Sequence, residues 1–273
     1  MLKDLLIAID VKLGRLVSLE QPLATVDKNL DSKGGVYTAE EWKKTRALGF
    51  NALGNDASAI SNDDKYLNRM FRSESRKLLA VLSLVRNFDF NKYDSIIEIG
   101  CGEMIQAFVI KSYFPHIYYV ATDFDHYIIE KCSQLPLLQF IEKVHVDLSK
   151  DNLQILEKFD LVIGWTVDYA LDRSTLLNLF CSAQKFSTSI LLCNQQIIGL
   201  MRYVTRKIKM RSFESQKVLK DGVRLHGWCR SLRYWKKIAD ISHMQMEVIK
   251  LSSRGLPRDA VFNYMLFTPI LGH

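Results

Sequence analysis

The run Ser95-Ile96-Ile97-Glu98-Ile99-Gly100-Cys101-Gly102 decides how this chain is read. A short, mostly apolar stretch ends in two glycines one residue apart. It predicts a buried strand closed by a tight turn. Glycine takes positive φ freely and lets the backbone approach a ligand, with the N-terminus of the next helix close by. Working outward, Ile117–Thr122 reads as a second strand followed by Asp123, and Val144–Val146 as a third followed by Asp147. Leu161–Ile163 and Ser189–Cys193 read as the fourth and fifth. Helical patterns lie between them near 103–113, 126–134, 150–157 and 174–185. This alternation predicts an α/β, Rossmann-like, doubly wound and mostly parallel sheet. Met246–Leu251 and Val261–Phe267, joined by a turn through Gly255 and Pro257, have no helix between them. They predict a C-terminal antiparallel hairpin that brings the sheet to seven strands.

The chain before residue 93 does not share this rhythm. Leu2, Leu5, Leu6, Ile9, Leu13 and Leu16 mark one face of a helix over 2–16. Ser61-Asn62-Asp63-Asp64 is an N-cap cluster for a long helix running to Arg86. Residues 1–92 are therefore expected to form an N-terminal helical cap. Residues 93–273 form the alternating domain, with a basic insertion at 195–230.

An acid at the tip of the second strand suits a ribose diol, since a carboxylate accepts hydrogen bonds from both hydroxyls. A Gly-x-Gly pair alone marks only a tight turn. A nicotinamide reading is disfavoured because Ile105 stands where the third fingerprint glycine belongs.

Glu98-x-Gly100-x-Gly102, Asp123 after the second strand, Asp147 after the third and Phe159-Asp160-Leu161-Val162-Ile163 at the fourth occur in order. Together they resemble the class I S-adenosylmethionine-dependent methyltransferases over roughly residues 93–268. The resemblance implies that Glu98, Gly100, Cys101 and Gly102 border the amino-acid part of S-adenosylmethionine. It implies that Asp123 binds the ribose and that Phe124 lies against the adenine. Asp147 and Leu148 would meet the adenine edge, and Trp165 would lie beside the sulfonium.

Departures from the superfamily's subclasses narrow the reading. The fourth strand runs into Gly164-Trp165-Thr166-Val167-Asp168-Tyr169, without the Asn/Asp-Pro-Pro-aromatic sequence that orients a target nitrogen in nucleic-acid N-methylating members. No Pro-Cys pair offers a cytosine C5 nucleophile. The fifth strand is followed by Cys193-Asn194-Gln195, where metal-dependent O-methyltransferases carry an acid. Transfer without a metal is expected, and no metal site is expected elsewhere. Neither the five cysteines nor the six histidines show ligand spacing.

An O-methyltransferase must align a hydroxyl and remove its proton. Asp168 and Tyr169 follow the fourth strand and fit by position, although Asp168 would serve equally as a helix cap with Asp172. His226, ahead of the last helix, is the third candidate, against the commoner role of a surface or core histidine.

Charge points to the acceptor. The chain's net charge is +7. Residues 201–237 hold twelve Lys and Arg against two acids, a local +10, while the remainder carries 25 basic and 28 acidic residues. Tyr203, Trp228 and Trp235 interleave with that segment. A basic and aromatic surface suits phosphate, a sugar face or a nucleobase. Arg69, Arg72, Arg224, Trp228 and Arg230 are the expected substrate-binding residues, although a basic helix face is more often merely solvated. The expected acceptor is a small molecule or glycan, anionic or carbohydrate-containing. RNA methylation and a non-catalytic methyltransferase-like binding protein are the alternatives. The 2–16 helix is expected to pack on the domain rather than on a membrane, and homo-oligomerisation through it is the remaining option.

Composition agrees with a folded enzyme. Apolar residues make up 48% and charged residues 25%, which excludes a disordered or collagen-like chain. No apolar run reaches spanning length, and Met1-Leu2-Lys3-Asp4 lacks the basic start of a signal peptide. A reduced, cytoplasmic setting is the expectation.

Overall fold

Five parallel strands and an antiparallel pair form one seven-stranded sheet in the computed structural model. It describes residues 9–10, 12–26, 62–72, 74–148, 153–194, 197, 199–215, 223–249 and 263–270. The sheet strands are β2 (Ser95–Ile99), β3 (Tyr118–Asp123), β4 (Glu142–His145), β5 (Leu161–Trp165), β6 (Ser189–Asn194), β8 (Met244–Ile249) and β9 (Asn263–Pro269). Their order is β4-β3-β2-β5-β6-β9-β8. β9 is antiparallel to both β6 and β8, as expected of a terminal hairpin. From β2 the chain winds outward to β3 and β4, then returns to place β5 on the other side. The order therefore reverses between β2 and β5, where open α/β sheets bind ligands at the carboxyl ends of their strands.

Strand alternation gives the sheet two apolar faces. Ile96, Tyr119, Ala121, Leu161 and Ile163 lie in one core with residues of four helices. These are α1 (Asp63–Arg72), α2 (Ser75–Asn87), α3 (Ile105–Tyr113) and α4 (His126–Ser133). α5 (Arg173–Lys185) packs along β6 and β9, with Phe180 edge-on to Phe267 at 4.7 Å between ring centroids.

The helix expected from 61 to 86 is two helices. α1 ends at Arg72, and α2 opens after Glu74, whose φ of −105° and ψ of 17° are not helical. Helical periodicity continues across the break without Gly or Pro to mark it. The stretch expected to be helical near 150–157 is a 3-10 helix at Leu153–Lys158.

The chain divides into two compact units. The sheet unit comprises 54–168, 173–195 and 239–273, so α1 and α2 belong to it. The other unit comprises 1–53, 169–172 and 196–238. This division does not follow a boundary at 92/93. In the second unit β1 (Glu20–Val26) pairs antiparallel with β7 (Val223–Arg230), from Glu20↔Arg230 to Val26↔Val223. α6 (Leu200–Ser215) lies in the same unit. Asp10 accepts from the Met201 and Arg202 amides at its start, at 2.6 and 3.2 Å. α7 (Leu232–Ile241) follows β7 directly. Of the helix expected at 2–16, residues 1–8 and 11 lie outside the described residues, and 9, 10, 12 and 13 are helical. Among the described residues no helix is long and apolar enough to cross a membrane.

Candidate cofactor site at the carboxyl edge of the sheet

The loop after β2 bends through three positive φ values: Gly100 at 62°, Gly102 at 52° and Met104 at 58°. The two glycines do different work. A Cβ on Gly100 would meet Val167 Cγ2 at 2.6 Å, so this glycine lets the β2 and β5 loops close on one another. A Cβ on Gly102 would meet nothing within 4 Å. Gly102 therefore presents bare backbone to open space, the geometry of a ligand cradle.

The loop is tied to the tip of β3. Asp123 Oδ2 accepts from the Gly102 amide at 2.9 Å and Oδ1 from the Asp125 amide at 3.0 Å. The Cys101 amide donates to the Thr122 carbonyl at 2.9 Å. Asp123 is buried, and burial raises its carboxyl above the usual range while the two amides oppose the rise. Each carboxylate oxygen keeps a lone pair for a ribose hydroxyl. The Val146 amide donates to the Asp123 carbonyl at 3.0 Å, which brings the β4 tip and half-buried Asp147 and Leu148 alongside. Phe124 is half-buried, its carbonyl 2.9 Å from His145 Nε2.

Glu98 is not a lining residue. It is fully buried, and its carboxylate accepts from Gln106 Nε2 at 3.1 Å and from the Tyr119 hydroxyl at 3.0 Å. Burial pushes its pKa up to about 7, opposed first by the charge of Lys77. The acid ties β2 to α3 and to β3. The resemblance placed it beside the cofactor; the fold places it inward, because even positions of β2 face the α1–α4 layer.

Trp165 ends β5 nearly buried, its ring edge-on to Tyr264 at 6.0 Å. Lys77 of α2 projects over it, Nζ 5.9 Å from the ring centroid. Lys77 stands among other charged helix residues, and no motif singles it out. Above the loop, Arg69 Nε donates to Glu103 Oε1 at 2.6 Å. Glu103 Oε2 and the nearby Tyr66 hydroxyl are buried and have no hydrogen-bond partner among the described residues. An open glycine cradle, a diol-accepting carboxylate and two orphaned polar atoms at one strand edge fit a ligand with ribose and amino-acid ends.

The other expected site residues divide. Asp168 is buried in a 3-10 turn (Asp168–Ala170) after β5, ahead of α5, which begins at Arg173. Tyr169 and His226 belong to the second unit, and His226 lies within strand β7 rather than in a loop. Arg72 is exposed on α1. Arg224 lies on β7, and Trp228, on the same strand, is half-buried.

Two of the expected anion-binding arginines are committed internally. Arg69 is held by Glu103. Arg230 is fully buried: its Nε donates to Glu20 Oε1 at 2.8 Å and its Nη2 to the Leu171 carbonyl at 2.6 Å. Its guanidinium also lies over Tyr234 and Trp235, at 5.4 and 5.7 Å. The pairing of β1 with β7 turns Arg230 inward, so it is a packing residue of its unit and not part of an exposed rim. Trp235 is likewise fully buried and offers no flat face to a ligand. Among the described residues no group of three His, Cys, Asp or Glu is arranged to hold a metal ion.

The sequence matches no family model and no curated protein. Solved structures resemble it by fold. Human N-acetylserotonin methyltransferase in complex with S-adenosylmethionine aligns at a TM-score of 0.55 and 14% identity, covering 84% of this chain and 62% of that one. PigF with S-adenosylhomocysteine aligns at 0.52 and 14%, covering 84% and 68%. TnmH aligns at 0.54 and 11%, covering 84% and 61%. The chain thus spans less than two thirds of the length of the first of these. The fold is that of the class I S-adenosylmethionine-dependent methyltransferases.

Proposed function

We propose that this protein binds S-adenosylmethionine and methylates a hydroxyl of a small-molecule acceptor, without a metal ion. The observation that carries the reading is the tie between Asp123 and the Gly102 amide, beside a glycine with open space before it. When bound, S-adenosylmethionine supplies a methyl electrophile. The chain's own part is to hold the adenosine at Asp123, Phe124, Asp147 and Leu148 and to keep water from the reacting edge with Trp165. The hydroxyl's proton must also be removed. Asp168, three residues beyond Trp165 in the same unit, is the proposed base. Tyr169 and His226 belong to the other unit and are given no part in this step.

An anionic or carbohydrate-containing acceptor remains part of the proposal, with Arg72, exposed on α1 of the sheet unit, as its candidate contact. With Arg69 and Arg230 engaged internally, the charge argument for RNA is correspondingly weaker.

Calorimetry with S-adenosylhomocysteine tests the cofactor reading directly. Micromolar binding is expected, and no binding at millimolar ligand would overturn it. Incubation with methyl-labelled S-adenosylmethionine and a panel of phenols, hydroxy acids and sugar phosphates then tests the acceptor class. Label should appear on oxygen. Label on RNA and on none of these acceptors would overturn the small-molecule reading.

A further inference from the structure

Three described cations act electrostatically on the side chains of the glycine loop and its flanks: Arg69, Lys143 and Lys77. Two of them are engaged. Arg69 is paired with Glu103 at 2.6 Å. Lys143 donates to the Leu138 and Ile141 carbonyls at 2.6 and 2.7 Å. Lys77 makes neither a hydrogen bond nor an ion pair among the described residues, and its one recorded contact is the face of Trp165. The residue is half-buried, and Glu98, the acid on which its charge acts, is already engaged with Gln106 and Tyr119. Trp165 closes β5, which pairs with β2, so the ammonium lies near the strand-order reversal, where its charge also acts on Glu98, Cys101 and Cys193.

A cation at that point is awkward for an enzyme whose cofactor carries a sulfonium. Two like charges at the same strand tips repel unless an anion lies between them. Glu98 does not supply that anion, because its carboxylate is turned inward to Gln106 and Tyr119. S-adenosylmethionine carries one of its own, an α-carboxylate a few bonds from the sulfur. The α-ammonium beside it needs an acceptor, and Glu103 Oε2 is a buried carboxylate oxygen without a partner among the described residues. The loop and α2 thus offer opposite charges for the two ends of an amino acid.

We infer that Lys77 binds the α-carboxylate of the cofactor's methionyl end, so that the site selects ligands that keep this group. The inference rests on the cofactor reading above and assigns to α2 a binding role that its sequence did not suggest.

The test compares S-adenosylhomocysteine with its decarboxylated analogue, which keeps the adenosine and the amine. Both are titrated calorimetrically into the wild-type protein, Lys77→Gln and Lys77→Arg. A charge-assisted contact corresponds to about 10- to 100-fold in affinity. Wild type should prefer S-adenosylhomocysteine by that factor, Lys77→Gln should lose the preference, and Lys77→Arg should keep most of it. An undiminished preference in Lys77→Gln overturns the inference and leaves the cofactor reading standing. Equal loss of both ligands in Lys77→Gln, with thermal unfolding unchanged, also overturns it, since the lysine would then serve the adenosine or the loop. Failure of wild type to bind either ligand overturns the cofactor reading itself.

Discussion

Replacing Asp123 with alanine separates the scaffold from the ligand site. In the folded protein its carboxylate holds two amides, those of Gly102 at 2.9 Å and Asp125 at 3.0 Å. The substitution leaves both donors without their acceptor in a mostly buried turn. Each loss costs about 1–3 kcal/mol, and water reaching the half-exposed loop favours the lower end, so roughly 2–4 kcal/mol in total is expected. At about 2–4 °C per kcal/mol for a domain of this size, the melting temperature should fall by roughly 4–16 °C. The diol contact is a separate quantity. Losing a charged acceptor for two hydroxyls should weaken S-adenosylhomocysteine binding by about 10- to 100-fold. Asp123→Asn is the informative companion. It keeps one carbonyl for one amide and so should recover part of the melting temperature, while it presents a donor to the diol and should not recover the affinity. Differential scanning fluorimetry and calorimetry on the three proteins give both readouts. A lowered melting temperature with wild-type affinity would refute the ligand role. Unchanged melting would refute the hydrogen-bonding geometry itself.

Glu98 makes stability depend on pH. Its folded pKa of about 7 lies above the ordinary 4.5, so the fold favours the protonated acid. That contribution is complete below about pH 4.5 and is lost as pH rises through 7, on the order of 3 kcal/mol. Urea denaturation at pH 5 and pH 8 should show the loss in wild type and not in Glu98→Gln. The two glycines should respond differently to alanine. Gly100→Ala collides with Val167 and should lower stability, whereas Gly102→Ala should cost only about 1–2 kcal/mol of left-handed strain and chiefly weaken S-adenosylhomocysteine binding. Wild-type affinity in Gly102→Ala would refute the cradle. Arg230→Met strands Glu20 and the Leu171 carbonyl and should cost about 3–5 kcal/mol of unfolding free energy measured by urea denaturation, with most of it recovered in Arg230→Met/Glu20→Leu. Once an acceptor is known, turnover should survive EDTA; activity lost to chelation and restored by Mg²⁺ would refute metal-free transfer.

The sheet was legible because its signals are local. All the parallel strands but β4, Glu142–His145, are short, mostly apolar runs, and the tips of β2 and β3 are marked by a glycine and an aspartate, so the strands were located to within a residue or two. What escaped depends on contacts between distant segments. Arg230 looks like any arginine in a basic stretch until β1 pairs with β7 and turns it onto Glu20. Lys77 reads as a solvated helix residue until the fold sets it over the ring of Trp165, 88 positions along the chain. Glu98 belongs to the most recognisable motif in the sequence. Only the pleat of β2 shows that it points into the core, to Gln106 and Tyr119.

The ladder from Glu20↔Arg230 to Val26↔Val223 also sets an order of events during synthesis. β1 leaves the ribosome early, and its partner follows about 200 residues later. At about 5–20 residues per second, that is a wait of roughly 10–40 s. By then β2 to β6, joined by short crossovers, have already emerged and can begin to pair. An unpaired strand edge held open for so long invites pairing with other chains. Pro22 within β1 has no amide hydrogen to offer such a partner, a safeguard for a segment that is made long before the strand it pairs with.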